Sequence, residues 1–139
     1  MKAVLDTNVI IDSIRAEDIH CMELIFHLKT GGHTMIVCPK LIDEYVRIYT
    51  QRNRSLEGAG QLFLMQHVPL DMMQMERNPV VTITFGPEED RWHMQLAILH
   101  KADCHVSKDA GVLKCRKEML QAGVRQIHPS EGPNQLRRR

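Results

Sequence analysis

Ala3-Val4-Leu5-Asp6-Thr7-Asn8-Val9-Ile10-Ile11 opens the chain with an apolar run, three polar residues and a second apolar run. Residues 3–5 are too few and too uniformly apolar for an amphipathic helix. They fit a central strand covered on both faces, as in parallel sheets. Thr7 or Asn8 can then cap a helix that begins with Val9. Asp6 is thereby set at the carboxyl end of a central strand, where open α/β sheets bind their ligands. A carboxylate withdrawn from water at that point needs a compensating partner. Either it accepts hydrogen bonds from the amides of the next helix, or it serves as a metal ligand or a nucleophile.

The rest of the chain supplies the elements of such a sheet. Helical spacing of apolar residues runs from Ile19 to Leu28 and is stopped by Gly31-Gly32. Thr34 to Cys38 reads as a strand, and Pro39 suits the first turn of a helix that continues through Tyr49. Residues 55–66 suggest a helix weakened by Gly58 and Gly60, and Pro69 to Pro79 shows no clear period. Val80 to Phe85 reads as a strand or an extended approach, and Glu88 to Lys101 as a helix with an acidic first turn. Cys104 to Ser107 is a strand, Asp109 or Ala110 to Ala122 a helix, and Val124 to His128 a last strand. Strands alternating with helices predict an α/β fold with a central, mainly parallel sheet. Residues 1–128 read as one domain, and residues 129–139, ending in three arginines, as a mobile basic tail.

Composition narrows the function classes. The 139 residues carry a formal net charge of +1, which gives no global push toward nucleic acid. Arg47, Arg52 and Arg54 nevertheless cluster near the middle of the chain, where they are the candidate phosphate contacts if a cleft there binds RNA. The four cysteines form no C-x-x-C pair, and reduced thiols in a cytoplasmic protein are the expectation. No apolar run approaches the roughly 18 residues that span a bilayer. The eight histidines include no helical H-x-x-x-H pair, which disfavours a zinc hydrolase. Cys104 and His105, adjacent on a strand, face opposite ways. An aspartyl-phosphate enzyme is disfavoured because Asn8 stands where its second aspartate belongs.

Four carboxylates stand where a solvated surface is an incomplete explanation. Asp6 is the first. On the helix after Pro39, Asp43 points away from the apolar stripe, whereas Glu44 lies along its edge beside Leu41 and Ile48. Asp90 stacks over Met94 and Ala97, the inward side of its helix. Asp109 follows a strand with Ser107 beside it, echoing the setting of Asp6. For each there is a bland alternative: an amphipathic border for Glu44, complementing a helix dipole for Asp90, and an N-cap for Asp109. If all four converge at one sheet edge, their repulsion calls for a cation. Hard oxygen ligands suit Mg²⁺ or Mn²⁺, with phosphodiester hydrolysis as the natural chemistry.

Three stretches carry a family resemblance: V-L-D-T-N-V-I-I-D at 4–12, C-P-K-L-I-D-E-Y at 38–45, and E-E-D-R-W-H-M-Q-L-A-I-L-H-K-A-D-C-H-V-S-K-D-A-G-V-L at 88–113. In order and spacing the chain resembles PIN-domain proteins across nearly its whole length. The resemblance implies a three-layer α/β/α sandwich and a metal-dependent ribonuclease, often the toxin of a toxin–antitoxin pair. It implies Asp6, Glu44, Asp90 and Asp109 as catalytic carboxylates, with Asp6, Asp90 and Asp109 as the main metal ligands. Thr7, Asn8 and Ser107 take its supporting polar places, and Asp103 matches a frequent family residue that need not touch metal. An antitoxin protein and a homodimer are the implied partners, with apolar helix faces around Ile19 to Leu28 and Gln61 to Met65 available for pairing. The chain departs from the pattern at Lys101, where glycine is usual, and residues 70–79 align with nothing. The sequence leaves two alternatives open: a non-catalytic RNA- or protein-binding module, and a housekeeping RNA-processing nuclease.

Overall fold

The computed structural model describes residues 1–15, 17–52, 68 and 70–132. Arg54, the helix expected at 55–66, the face at 61–65 and the three terminal arginines lie outside the described residues. Five strands form one sheet: β1 (Lys2–Leu5), β2 (Thr34–Val37), β3 (Met73–Met75), β4 (Cys104–Val106) and β5 (Arg125–Ile127). Their order is β3-β2-β1-β4-β5, and every neighbouring pair is parallel. Among the described residues the connections carry six α-helices. These are α1 (Thr7–Ile14), α2 (Ile19–Thr30), α3 (Pro39–Arg52), α4 (Arg91–Leu99), α5 (Ala110–Leu113) and α6 (Arg116–Gln121). Right-handed crossovers put α1, α2 and α3 on one face and α4, α5 and α6 on the other, the expected three-layer sandwich.

The chain first winds outward from β1 to β2 and β3, then crosses back to β4 on the far side of β1. The winding therefore reverses between β1 and β4, and their carboxyl ends flank the crevice where such sheets bind ligands. Both strands are wholly buried over Ala3–Leu5 and Cys104–Val106, which explains their lack of alternation. On α3, Tyr45 is completely buried and its hydroxyl donates to the Leu5 carbonyl, tying that helix to the end of β1 just before Asp6.

Several elements differ from the sequence expectation. Val80 to Phe85 forms no ladder. Its extended backbone is held instead by the Gln95 side chain on α4, whose Oε1 accepts from Thr82 N at 3.0 Å and Ile83 N at 3.1 Å. The missing strand is β3, in the stretch without a readable period: three residues, half-buried to exposed, are too short to show an alternation. The helix expected from Glu88 begins as a 3-10 turn, Glu88–Asp90, before α4, and the helix expected through Ala122 breaks at Lys114-Cys115 into α5 and α6. Helix α2 has two apolar stripes: Cys21, Leu24, Ile25 and Leu28 face the core, while Ile19, Met22 and Phe26 face outward. Pro129–Glu131 forms a 3-10 turn held by a two-pronged ion pair between Arg116 and Glu131.

Lys101 ends the turn after α4 with φ 54°, the one positive-φ residue other than glycine among those described. An L side chain in that region costs on the order of 1 kcal/mol. Lys101→Gly is therefore expected to stabilise the fold by roughly 0.5 kcal/mol, the relieved strain exceeding glycine's extra unfolded-state entropy. Urea unfolding of the two proteins measures it, and an unchanged or lower midpoint would contradict the strain argument.

Candidate active site

The register between β1 and β4 pairs Leu5 with Val106, so the next residues out, Asp6 and Ser107, lie side by side. The Asp6 amide donates to the Val106 carbonyl at 2.8 Å, and the Ser107 hydroxyl donates to Asp6 Oδ2 at 2.7 Å. Asp6 Oδ1 accepts from the Thr7 amide at 2.7 Å, which makes Asp6, and not Thr7 or Asn8, the N-cap of α1. The reason is geometric: the chain leaves the strand extended at Asp6 and is already helical at Thr7. Capping leaves the carboxylate buried, at 6 % exposure. Burial and the nearby charge of Asp90 push its pKa up, against the lowering effects of His93, Ser107 and the Thr7 amide.

Thr7, relieved of capping, donates its hydroxyl to Glu44 Oε1 at 2.7 Å. Glu44 is half-buried and Asp43 exposed, as the periodicity of α3 predicts. Asp90 makes no side-chain cap bond to α4; its Oδ1 lies 3.2 Å from His93 Nε2. Asp109 does cap α5, accepting from the Val112 amide at 3.1 Å, and its own amide donates to the Ser107 hydroxyl oxygen at 3.0 Å. Ser107 thus ties the ends of β1 and β4 together. Asp6, Thr7, Asn8, Glu44, Asp90 and Asp109 line one open cavity of about 200 Å³, together with Ile48 and Arg52. All four expected carboxylates meet there. Asp103 does not: it accepts from the Lys2 amide at 2.7 Å, at the opposite end of β1.

The tightest grouping includes a residue that sequence reasoning missed. Ligand atoms of Asp6, Asp90 and His93 all lie within 4.8 Å of one another, a group that Asp109 and Glu44 flank without joining. His93 is one turn beyond Asp90 on the same side of the helix, and the D-x-x-H spacing was the available signal. Behind it, His93 Nδ1 lies 2.7 Å from His105 Nε2, and His105 Nδ1 lies 2.7 Å from Gln126 Oε1. His105 is fully enclosed in β4, and burial holds its pKa well below the usual histidine range. It does face away from the neighbouring Cys104, as strand geometry requires. All four cysteines are free and buried, and burial pushes the Cys21 thiol up to about 12 and raises Cys38 and Cys115 as well.

The donor set fits a divalent cation. Two carboxylates and an imidazole converge, the more buried carboxylate is destabilised by desolvation, and Asn8, which also lines the cavity, has a buried Oδ1 with no hydrogen-bond partner among the described residues. Arg52 lines the cavity, and Lys108 shares its partner Asp12. Arg52 reaches Asp12 at 3.3 Å, and Lys108 bridges Asp12 at 2.6 Å and Asp18 at 2.8 Å. An adjoining groove of about 390 Å³ shares Glu44 and is lined by Lys40, Asp43, Arg47 and Asn78.

A parallel sheet whose reversal point gathers acidic side chains, with Asp6, Asp90 and His93 close enough that they could hold a metal ion, defines an α/β protein with a candidate metal site. The sequence comparison makes that specific: residues 2–111 match the PIN domain, and the chain belongs to the PIN-domain family. PIN domains are generally metal-dependent nucleases, acting on nucleic acid. Comparison with curated proteins and with solved structures returns no match. No helix among the described residues is long and apolar enough to cross a membrane.

Proposed function

We propose that the chain is a Mg²⁺- or Mn²⁺-dependent endoribonuclease that hydrolyses RNA phosphodiester bonds. The observation that carries this reading is the convergence of Asp6, Glu44, Asp90 and Asp109 on one cavity at the sheet's reversal point. A divalent ion there supplies Lewis-acid stabilisation of phosphoryl charge and activation of an attacking water. Asp6, Asp90 and Asp109 provide the anionic oxygens, with Asp6 oriented by Ser107 and by the Thr7 amide. Glu44, held by the Thr7 hydroxyl, closes the site from the α3 side. Asn8 offers its free carbonyl oxygen to the ion or to water.

Arg52 at the cavity, and Lys40 and Arg47 along the adjoining groove, are spaced to receive the phosphates that flank the scissile bond. Arg54 joins them in this reading on sequence position alone. The four free, buried cysteines suit a reducing cytoplasm. In this reading the chain is the toxin of a pair with a small antitoxin partner, or a homodimer, which family membership supports. The outward stripe Ile19, Met22 and Phe26 on α2 is the surface that supports protein pairing. Growth arrest on expression, relieved by a neighbouring small reading frame, distinguishes a toxin from a housekeeping nuclease.

Cleavage of structured and unstructured RNA with Mn²⁺, and with EDTA added, tests the chemistry. Cleavage that depends on the ion is expected. Activity that survives chelation overturns the metal mechanism, and RNA binding without cleavage favours a non-catalytic module.

A further inference from the structure

We propose that His93 is itself a metal ligand, its Nε2 turned into the Asp6–Asp90 cluster by a buried relay from Gln126 through His105. The proposal rests on the metal-dependent reading above and deepens it. It gives the site a nitrogen donor and hence a different ion preference from an all-oxygen site.

The relay fixes each hydrogen in turn. Gln126 Nε2 donates to the His105 carbonyl at 2.9 Å, so its Oε1 must be the atom facing His105 Nδ1. The reversed amide would oppose two carbonyl oxygens, leaving both unsatisfied in the core. His105 Nδ1 therefore carries a hydrogen. The ring is fully buried and no carboxylate touches it, so a second hydrogen, with its positive charge, is excluded by the cost of an unpaired buried cation. His105 Nε2 is then an acceptor, and His93 Nδ1 must donate to it.

Ring geometry agrees. The two imidazole planes are within 4° and their centroids 4.9 Å apart, with the nitrogens at 2.7 Å. A nitrogen separation that short is below face-to-face packing distance, so the rings lie edge to edge, joined by an in-plane N–H···N bond.

With its Nδ1 hydrogen committed to His105, His93 turns Nε2 to the cleft, where a metal ion would take the place of any proton on that atom. That atom lies 3.2 Å from Asp90 Oδ1 and 3.8 Å from Asp6 Oδ1. His93 Nε2 and the two carboxylate oxygens face one another, and Asn8, another residue of the cavity lining, has a buried Oδ1 without a partner among the described residues. A single proton on His93 satisfies one such contact, whereas a divalent cation satisfies several at once. Imidazole suits first-row transition ions far better than Mg²⁺. His105 and Gln126 are the positioning residues, fixing the tautomer of the ligand as outer partners of metal-bound histidines do.

The test is pulsed electron paramagnetic resonance on the full chain loaded with Mn²⁺, reading nuclear modulation from a directly bound nitrogen. Modulation is expected in the unmodified protein. It should change when histidine alone is labelled with the heavier nitrogen isotope, an arm that needs no variant to fold. In His93→Phe, or His93→Gln if the former fails to fold, the modulation should vanish and the preference for Mn²⁺ over Mg²⁺ in calorimetry should fall about tenfold. Gln126→Leu should keep the modulation while weakening Mn²⁺ binding by about 10-fold, with Mg²⁺ binding less affected. Mn²⁺ bound without nitrogen modulation, or modulation that persists in the His93 variants, overturns the proposal and leaves the carboxylate site standing. No Mn²⁺ binding at all overturns both.

Discussion

Asp6→Asn is expected to lower RNA cleavage on the order of 10³-fold, more than the 10–100-fold typical of losing an outer partner of a metal ligand. The substitution is nearly isosteric, and its hydrogen bonds survive. The carboxamide oxygen can still accept from the Thr7 amide, and the new NH₂ can donate to the Ser107 oxygen, which already accepts from Asp109 N. What disappears is one negative charge on the most buried of the four carboxylates, where it would attract a bound ion most strongly. Single-turnover cleavage at saturating Mn²⁺ is the measurement. Asp43→Asn, exposed on the same helix as Glu44 but in the lining of the adjoining groove, should leave the single-turnover rate at saturating RNA unchanged, whatever its effect on RNA affinity. A loss of less than about tenfold in Asp6→Asn, against the size expected for a ligand, would remove Asp6 from the centre of the mechanism.

The features legible in the sequence were those with a local signal. Asp6 and Asp109 were readable because each follows a short strand without an alternating pattern, Asp6 directly and Asp109 just beyond Ser107, and the burial of Ala3–Leu5 and Cys104–Val106 explains that pattern. Glu44 could be told from Asp43 because a helix converts spacing into direction at 100° per residue. Both strand-end aspartates also act as N-caps, so the bland reading and the functional one proved compatible rather than exclusive. What escaped were features created by pairing. Strand β3 is recognisable only through its register with β2, since its three residues show no period. His105 reads as an odd polar residue in a strand until the sheet sets Gln126 opposite it and α4 sets His93 above it. Lys101 shows the converse: the departure from the family's glycine was visible in sequence, but its left-handed backbone was not.

The melting temperature of the wild-type protein should rise by roughly 8–13 °C on saturation with Mn²⁺. Binding at about 100 times Kd stabilises the folded state by about 2.7 kcal/mol, and a domain of this size gains roughly 3–5 °C per kcal/mol. Asp6→Asn should melt higher than the wild type without metal, by a few degrees for about 1 kcal/mol of relieved charge burial, yet gain little from Mn²⁺. The sign follows from the raised pKa of Asp6, caused first by burial and then by the charge of Asp90. A carboxyl that is harder to ionise when folded favours the folded state at low pH, and this contribution is lost as pH rises from the unfolded value near 3.9 through the folded one. The metal-free wild type should therefore lose stability across that window relative to Asp6→Asn. Mn²⁺ reverses the trend, because the ion competes with the proton and its stabilisation grows as the carboxyl ionises. Asp43→Asn should follow the wild type in every arm. Melts of the three proteins with and without Mn²⁺, at low ionic strength and several pH values, decide the matter. If Asp6→Asn and Asp43→Asn respond alike to the ion, the carboxylates at the end of β1 are capping groups and nothing more.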